Sequence, residues 1–205
     1  MADRARYAAK SDGKKCRSLL RGRNKFDKLF SFSHAQQKKY GNTEININNG
    51  KGRNTLKTRK AVISDIKEIQ KLVNEFARKE LMIPRAINEL YENVRDFVVA
   101  EENGTIKGVC ALHVLWEDLA EVRSLAVIKE YQMLGIGKQL VKRCLNEAKA
   151  LGVKRVFALT YQPLFFKKLG FTDTDKASLP QKIWGDCVRC PKFPECDEHA
   201  LIIHL

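Results

Sequence analysis

No run of apolar residues in this 205-residue chain is long enough to cross a bilayer, which excludes a hydrophobic membrane helix. No apolar stretch follows the first basic residues, so a secretory leader is not expected. Cysteine, six residues in all, is too sparse for a disulfide scaffold, and a reducing, cytoplasmic setting is the expectation. Acidic residues are scarce at one end. Residues 1–60 hold 17 Lys/Arg against 4 Asp/Glu, whereas residues 61–205 hold 21 against 20. The formal charge of +14 therefore belongs to a tail, and the remainder needs no polyanionic partner. A hydrophobic content of 44% suits one globular domain of ordinary size with an appendage.

Periodic apolar positions are also missing from residues 1–57, which read as a basic, disordered N-terminal extension. The polar stretch NTEININNGKGRN, Asn42 to Asn54, has no core face and is read the same way. Three roles stay open for this tail: a solvated extension, a targeting peptide, or a cationic arm binding nucleic acid through phosphate. Order is expected over residues 58–205. Ser64 is read as an N-cap with Asp65 in the first turn, and Ile66, Ile69, Leu72, Val73 and Phe76 recur at helical spacing before Pro84. A short helix carries Ile87, Leu90, Tyr91 and Val94. Phe97 to Ala100, Ile106 to Leu115 and Ala120 to Val127 then read as a three-strand meander, opened by an Asn103-Gly104 hairpin turn. A helix from Lys138 to Leu151 ends at Gly152. Arg155 to Thr160 is a strand, Pro163 to Leu169 a short helix, and Ala200 to Leu205 the last strand. The expected class is α+β, with a mixed sheet of about six or seven strands passing from an antiparallel meander to parallel.

Between strand VRSLAV and the long helix stands YQMLGIGKQLV, with two glycines one residue apart. Glycines at a strand-to-helix turn let a ligand reach backbone N–H groups, with the helix dipole behind them, as a phosphate or diphosphate requires. A P-loop is excluded because Gln139 follows Gly137-Lys138. The dinucleotide pattern is excluded because Leu140 stands where its third glycine belongs. What remains is Q-x-x-G-x-G, Gln132 to Gly137, for which an ordinary glycine loop is the bland alternative.

In this context the motif resembles the acyl-CoA loop of the GNAT superfamily of N-acyltransferases. The strand EVRSLAV, the helix LVKRCLNEAKALG and FFKKLGF, Phe165 to Phe171, support the resemblance across residues 58–205. It implies a GNAT-like fold and acetyl-CoA as co-substrate. Gln132, Leu134, Gly135, Ile136, Gly137 and Lys138 would surround the CoA diphosphate, and Leu125, Ala126 and Val127 would run beside the pantetheine. RAINELYENVRDFVVAEENG, CALHVLWEDLAEVRSLAV and LPQKIW are similar, more narrowly, to short stand-alone bacterial N-acetylglutamate synthases. That implies a small amino-acid substrate, acetylated at the α-amine of glutamate in arginine biosynthesis. Glutamine, a protein N-terminus or a non-catalytic acyl-CoA-binding role are the alternatives.

Direct transfer needs a base, an oxyanion donor and a proton for the leaving thiolate. Glu121 is the candidate base, with a solvated strand residue as the alternative, and the N–H near Leu125 would meet the oxyanion. Where many family members place a tyrosine before the Gly-Phe pair, this chain has Phe166, counted on the CoA side. Tyr161 is the nearest phenol, and packing or water are its rivals. By resemblance Arg85 would grip a carboxylate, with Arg123 and Lys182 behind it. His113 reads as packing. Cys187, Cys190, Cys196 and His199 have residue types and spacing for structural zinc, against a disulfide, a redox pair or free thiols. Homo-oligomerisation stays open, and no membrane partner is expected.

Overall fold

A computed structural model describes residues 43–48, 53–179, 185, 188, 190, 192 and 195–205. Its elements run β1 (Thr43–Asn48), β2 (Arg53–Lys60), α1 (Ile66–Ala77), α2 (Ile87–Glu92), β3 (Phe97–Glu102), β4 (Thr105–Val114) and β5 (Leu119–Val127). Then follow α3 (Ile136–Leu151), β6 (Arg155–Thr160), α4 (Pro163–Lys167), β7 (Thr172–Asp173) and β8 (His199–His204). The strands form an eight-stranded sheet in the order β1-β2-β3-β4-β5-β6-β8-β7. Among the described strands only β5 and β6 pair in parallel, and α3 makes the crossover between them.

Alternation along the central strands divides the core. Val98, Ala100, Cys110, Leu112, Ala120 and Val122 face α3, whose Leu140, Val141, Cys144, Leu145 and Ala148 recur at helical spacing. Phe97, Val99, Val109, Ala111 and Ala126 face the opposite side, where α1 and α2 bring Ile66, Ile69, Leu72, Val73 and Leu90. Each such aliphatic side chain contributes roughly 1.5–3 kcal/mol by leaving water, before conformational entropy is subtracted. On the α3 face the buried thiols of Cys110 and Cys144, 34 residues apart in sequence, lie 3.7 Å apart.

Two local expectations need correction. The stretch read as disordered contains β1 and much of β2, paired from Thr43↔Thr58 to Asn48↔Arg53. Ile45 and Ile47 alternate with polar residues there, a period-two signal hidden by its asparagines. Residues 1–42 and 49–52 lie outside the described residues. Secondly, Ser64 does not cap α1. Asp65 stands at its N-cap without a side-chain cap bond; its Oδ2 accepts the Val62 N–H at 2.8 Å, closing the turn before the helix, while both carboxylate oxygens take the Arg59 guanidinium. Burial pushes the Asp65 carboxyl up, but hydrogen bonds from Arg59 and Val62 and the Arg59 charge outweigh it and hold it below its ordinary range. The expected passage from the antiparallel meander to parallel pairing is present at β5–β6, after which β8 returns antiparallel to β6.

The meander itself follows the sequence. Asn103 and Gly104 both take positive φ, 50° and 76°, in the tight turn joining β3 to β4.

Candidate active site

Two irregularities in β5 open the sheet. On its β4 side the register jumps from Ala111↔Arg123 to Val109↔Ala126, so Ser124 and Leu125 together oppose Cys110. Ser124 takes φ +53 in this bulge. On the other side, β5 pairs with β6 only from Leu119↔Arg155 to Glu121↔Phe157. Among the described residues no strand pairs with that edge of β5 beyond Glu121. Its backbone from Val122 to Val127 therefore faces a gap, where an extended ligand can take the place of a strand.

The glycine loop lies at the end of the same strand. Gln132 donates from Nε2 to the Val127 carbonyl at 2.9 Å, stapling the loop to the strand. Tyr131 donates to the Glu102 carboxylate, and the Lys107 ammonium lies 5.1 Å from the Tyr131 ring centroid. The loop is thereby tied to the β3–β4 hairpin. Met133 takes φ +62 and is 99% exposed.

The glycines prove to have different jobs. Gly135, at φ +81, is the N-cap of α3, and a Cβ there would meet nothing within 4 Å. It serves the turn. A Cβ on Gly137 would enter the space between Phe165, 3.4 Å from its Cζ, and Val127 at 4.0 Å. Gln139 is the residue whose N–H bonds back to Gly135 O, at 3.1 Å, so the N–H groups of Ile136, Gly137 and Lys138 precede the helical ladder. The first turn has neither a side-chain cap nor an acidic residue. This arrangement can receive an anion: open amides, the positive end of a 16-residue helix, and room for close approach. Ile136 reaches it with backbone alone, its side chain being buried, whereas Lys138 is exposed.

Phe166, assigned to the CoA side in sequence, is core. It is 4% exposed and packs edge-to-face against Phe165 and Phe171, with centroids 5.1 and 5.2 Å away. Phe165 is the ring beside Gly137. Adjacent phenylalanines cannot be told apart by sequence; the turn of α4 decides which faces the loop.

The α1/α2 face carries the ionisable groups. Since Ala120 and Val122 face α3, Glu121 and Arg123 project the other way. Their charged ends approach to 4.0 Å. His113 stands opposite Glu121 in the β4·β5 register, and its Nδ1 lies 2.6 Å from Asp96 Oδ2. Arg85, 8% exposed, pairs with Glu89 at 2.5 Å. Its backbone is clamped by Asn74 on α1, which accepts the Arg85 N–H at 2.9 Å and donates to its carbonyl at 3.2 Å. Sequence reasoning missed Asn74 and Asp96 and took His113 for packing, since only their partners across the fold reveal a role. Tyr161 follows β6 and donates to Asp197 Oδ1 at 2.9 Å. Burial raises its phenol above the ordinary value; Lys192 opposes that shift and Asp197 adds to it.

Lys182 and Cys187 lie outside the described residues. Among the described residues no group of three His, Cys, Asp or Glu side chains is placed to hold a metal ion. Cys190 and Cys196 are free thiols, and His199 is an exposed residue opening β8. The zinc expectation finds no support there. Among the same residues no helix is long and apolar enough to cross a membrane.

Residues 63–171 match the Acetyltransferase (GNAT) family. This chain belongs to that family. The acetyltransferase is 39% identical over 144 residues to an uncharacterized N-acetyltransferase of Chlorobaculum tepidum, covering 70% of this chain and 93% of that protein. It is 37% identical over 134 residues to an amino-acid acetyltransferase of Mycobacterium tuberculosis, 64% of this chain and 76% of that one. A Mycobacterium tuberculosis crystal structure in complex with CoA and NLQ superposes with TM-score 0.63 at 31% identity, covering 72% of this chain and 98% of the other. N-acetylglutamate synthase from Neisseria gonorrhoeae, complexed with coenzyme A and N-acetyl-glutamate, gives TM-score 0.67 at 25% identity. There the match covers 73% of this chain and only 35% of the longer protein. The acetyltransferase thus transfers acetyl from acetyl-CoA to an amine, on a sheet whose open wedge and amide-rich loop suit that carrier.

Proposed function

We propose that the amine is the α-amino group of L-glutamate, acetylated by direct attack on acetyl-CoA. The observation that carries this choice is Arg85, a buried guanidinium whose backbone is fixed by Asn74 in the helical layer covering the Glu121 face. A guanidinium fork matches a carboxylate bidentately, and Arg123 adds a second cation on that face. Lys182 remains a further candidate. The names of the Mycobacterium tuberculosis and Neisseria gonorrhoeae proteins support an amino-acid acceptor.

In this reading the CoA diphosphate lies on the amides of Leu134 to Lys138, with the pantetheine along Leu125 to Val127. Glu121 accepts a proton from the ammonium through water. The amine nitrogen then bonds to the thioester carbon, and the Leu125 N–H stabilises the oxyanion. As the carbon–sulfur bond breaks, the thiolate takes a proton, and the second surplus proton of the nitrogen replaces it at the donor. The raised phenol of Tyr161, which stays protonated at neutral pH, supports that residue as the donor. Direct transfer forms no acyl-enzyme, so no side-chain nucleophile is required.

A second acceptor, L-glutamine, is favoured by one observation. Glu89 already sets a carboxylate against Arg85 at 2.5 Å, which weakens the draw on a second negative charge. Incubation with acetyl-CoA and each amino acid, with mass spectrometric identification of the product, tests the proposal. N-acetylglutamate is the expected product. CoA binding without acetylation of either amino acid would defeat it.

A further inference from the structure

We infer that His113, held by Asp96, is a positioning residue that resets Glu121 by passing the surplus proton of each turnover to solvent; this rests on the reading of Glu121 as base. The stoichiometry demands such a route. An ammonium nitrogen carries three protons and the amide nitrogen it becomes carries one. Of the two protons lost, one ends on the CoA sulfur and one must leave the site. Glu121 can hold it, but only until the next acceptor binds.

The neighbourhood of Glu121 offers an exit. His113 is its partner in the β4·β5 register, which puts Cβ atoms about 4.5–5.5 Å apart on one face of the sheet. The imidazole Nδ1 lies 2.6 Å from Asp96 Oδ2, just before β3, so the carboxylate fixes the ring and favours Nδ1–H. Nε2 is then the ring's proton acceptor. The charge that arrives with a proton is met by Asp96, as in other carboxylate–histidine pairs. Side-chain exposure rises outward, from 14% at Glu121 to 27% at His113 and 23% at Asp96. Other charged groups of this face include Arg123 on β5, the Arg85–Glu89 pair in the helical layer and Glu68 of α1, whose carboxylate takes the Ile106 N–H. Neither the fold nor the transfer step otherwise uses a half-buried histidine with a carboxylate partner.

The test compares His113→Gln, Asp96→Asn and Glu121→Gln in the full chain, with acetyl-CoA and L-glutamate as substrates. For His113→Gln and Asp96→Asn, kcat is expected to fall at least about tenfold while KM for L-glutamate and CoA affinity stay near wild type. Added imidazole should restore much of the His113→Gln rate and none of the Glu121→Gln rate. A His113→Gln protein with wild-type kcat and pH profile overturns the inference, as does a loss that imidazole leaves untouched. A fully active Glu121→Gln protein overturns the reading of the base, and the inference with it. Inactive Glu121→Gln beside unaffected His113→Gln removes the inference alone.

Discussion

Gly137→Ala should separate stability from cofactor affinity. Gly137 is the second residue of α3, where its backbone is helical, and alanine is favoured over glycine in a helix by about 0.5–1 kcal/mol. The new methyl would rest 3.4 and 3.6 Å from the Phe165 ring, an ordinary contact, so no protein atom need move. The free variant should therefore melt about 1–4 °C higher. The same methyl occupies the space through which a diphosphate would approach the Gly137 amide. Losing one hydrogen bond to a charged oxygen costs about 1.5–3 kcal/mol, so CoA should bind roughly tenfold to a hundredfold more weakly. Gly135→Ala should behave oppositely in the melt. Nothing lies within 4 Å of its Cβ, but φ +81 imposes about 1–2 kcal/mol of strain and lowers Tm by a few degrees. Calorimetric melting and CoA titration on the same preparations measure both effects. A Gly137→Ala protein with a raised Tm and unchanged CoA affinity would refute the reasoning, because no ligand atom could then pass close to that amide.

Other consequences are open to measurement. The carboxyl of Asp65 lies below its ordinary range, so its contribution to stability is complete above that range and lost as pH falls below about 4. Asp65→Asn should cost about 1–2 kcal/mol at neutral pH and flatten the acid dependence of the urea midpoint; an unchanged pH slope would contradict this. Tyr161→Phe should lower kcat at least about tenfold with CoA affinity intact, and an unaffected kcat would hand thiolate protonation to water. The buried thiols of Cys110 and Cys144 should resist alkylation until the protein is denatured, whereas native labelling of either, located by peptide mapping, would show that α3 opens.

Legibility in the sequence followed the kind of force at work. α3 could be read because one of its faces is buried, so Leu140, Cys144 and Ala148 repeat at helical spacing, whereas the meander strands are buried on both faces and were legible as apolar runs around the Asn103-Gly104 turn. The glycine loop was legible because few residues tolerate φ +81, although only the fold could show that Gly135 serves the turn and Gly137 the space beside Phe165. The β1–β2 pair was hidden because its asparagines mimic a polar linker. The wedge between β5 and β6 was illegible, since a ladder that stops after Glu121 leaves no mark in composition. His113 and Asp96 are 17 residues apart and become partners only through the hairpin.

The most direct test of the proposed acceptor is a comparison of kcat/KM for L-glutamate and L-glutamine in wild type and Arg85→Gln. Truncating a buried, paired guanidinium costs about 2–5 kcal/mol where a carboxylate depends on it. The account predicts that wild type prefers L-glutamate and that Arg85→Gln loses this preference by roughly thirtyfold or more. Equal use of both amino acids by wild type, or a preference that survives Arg85→Gln, would contradict it.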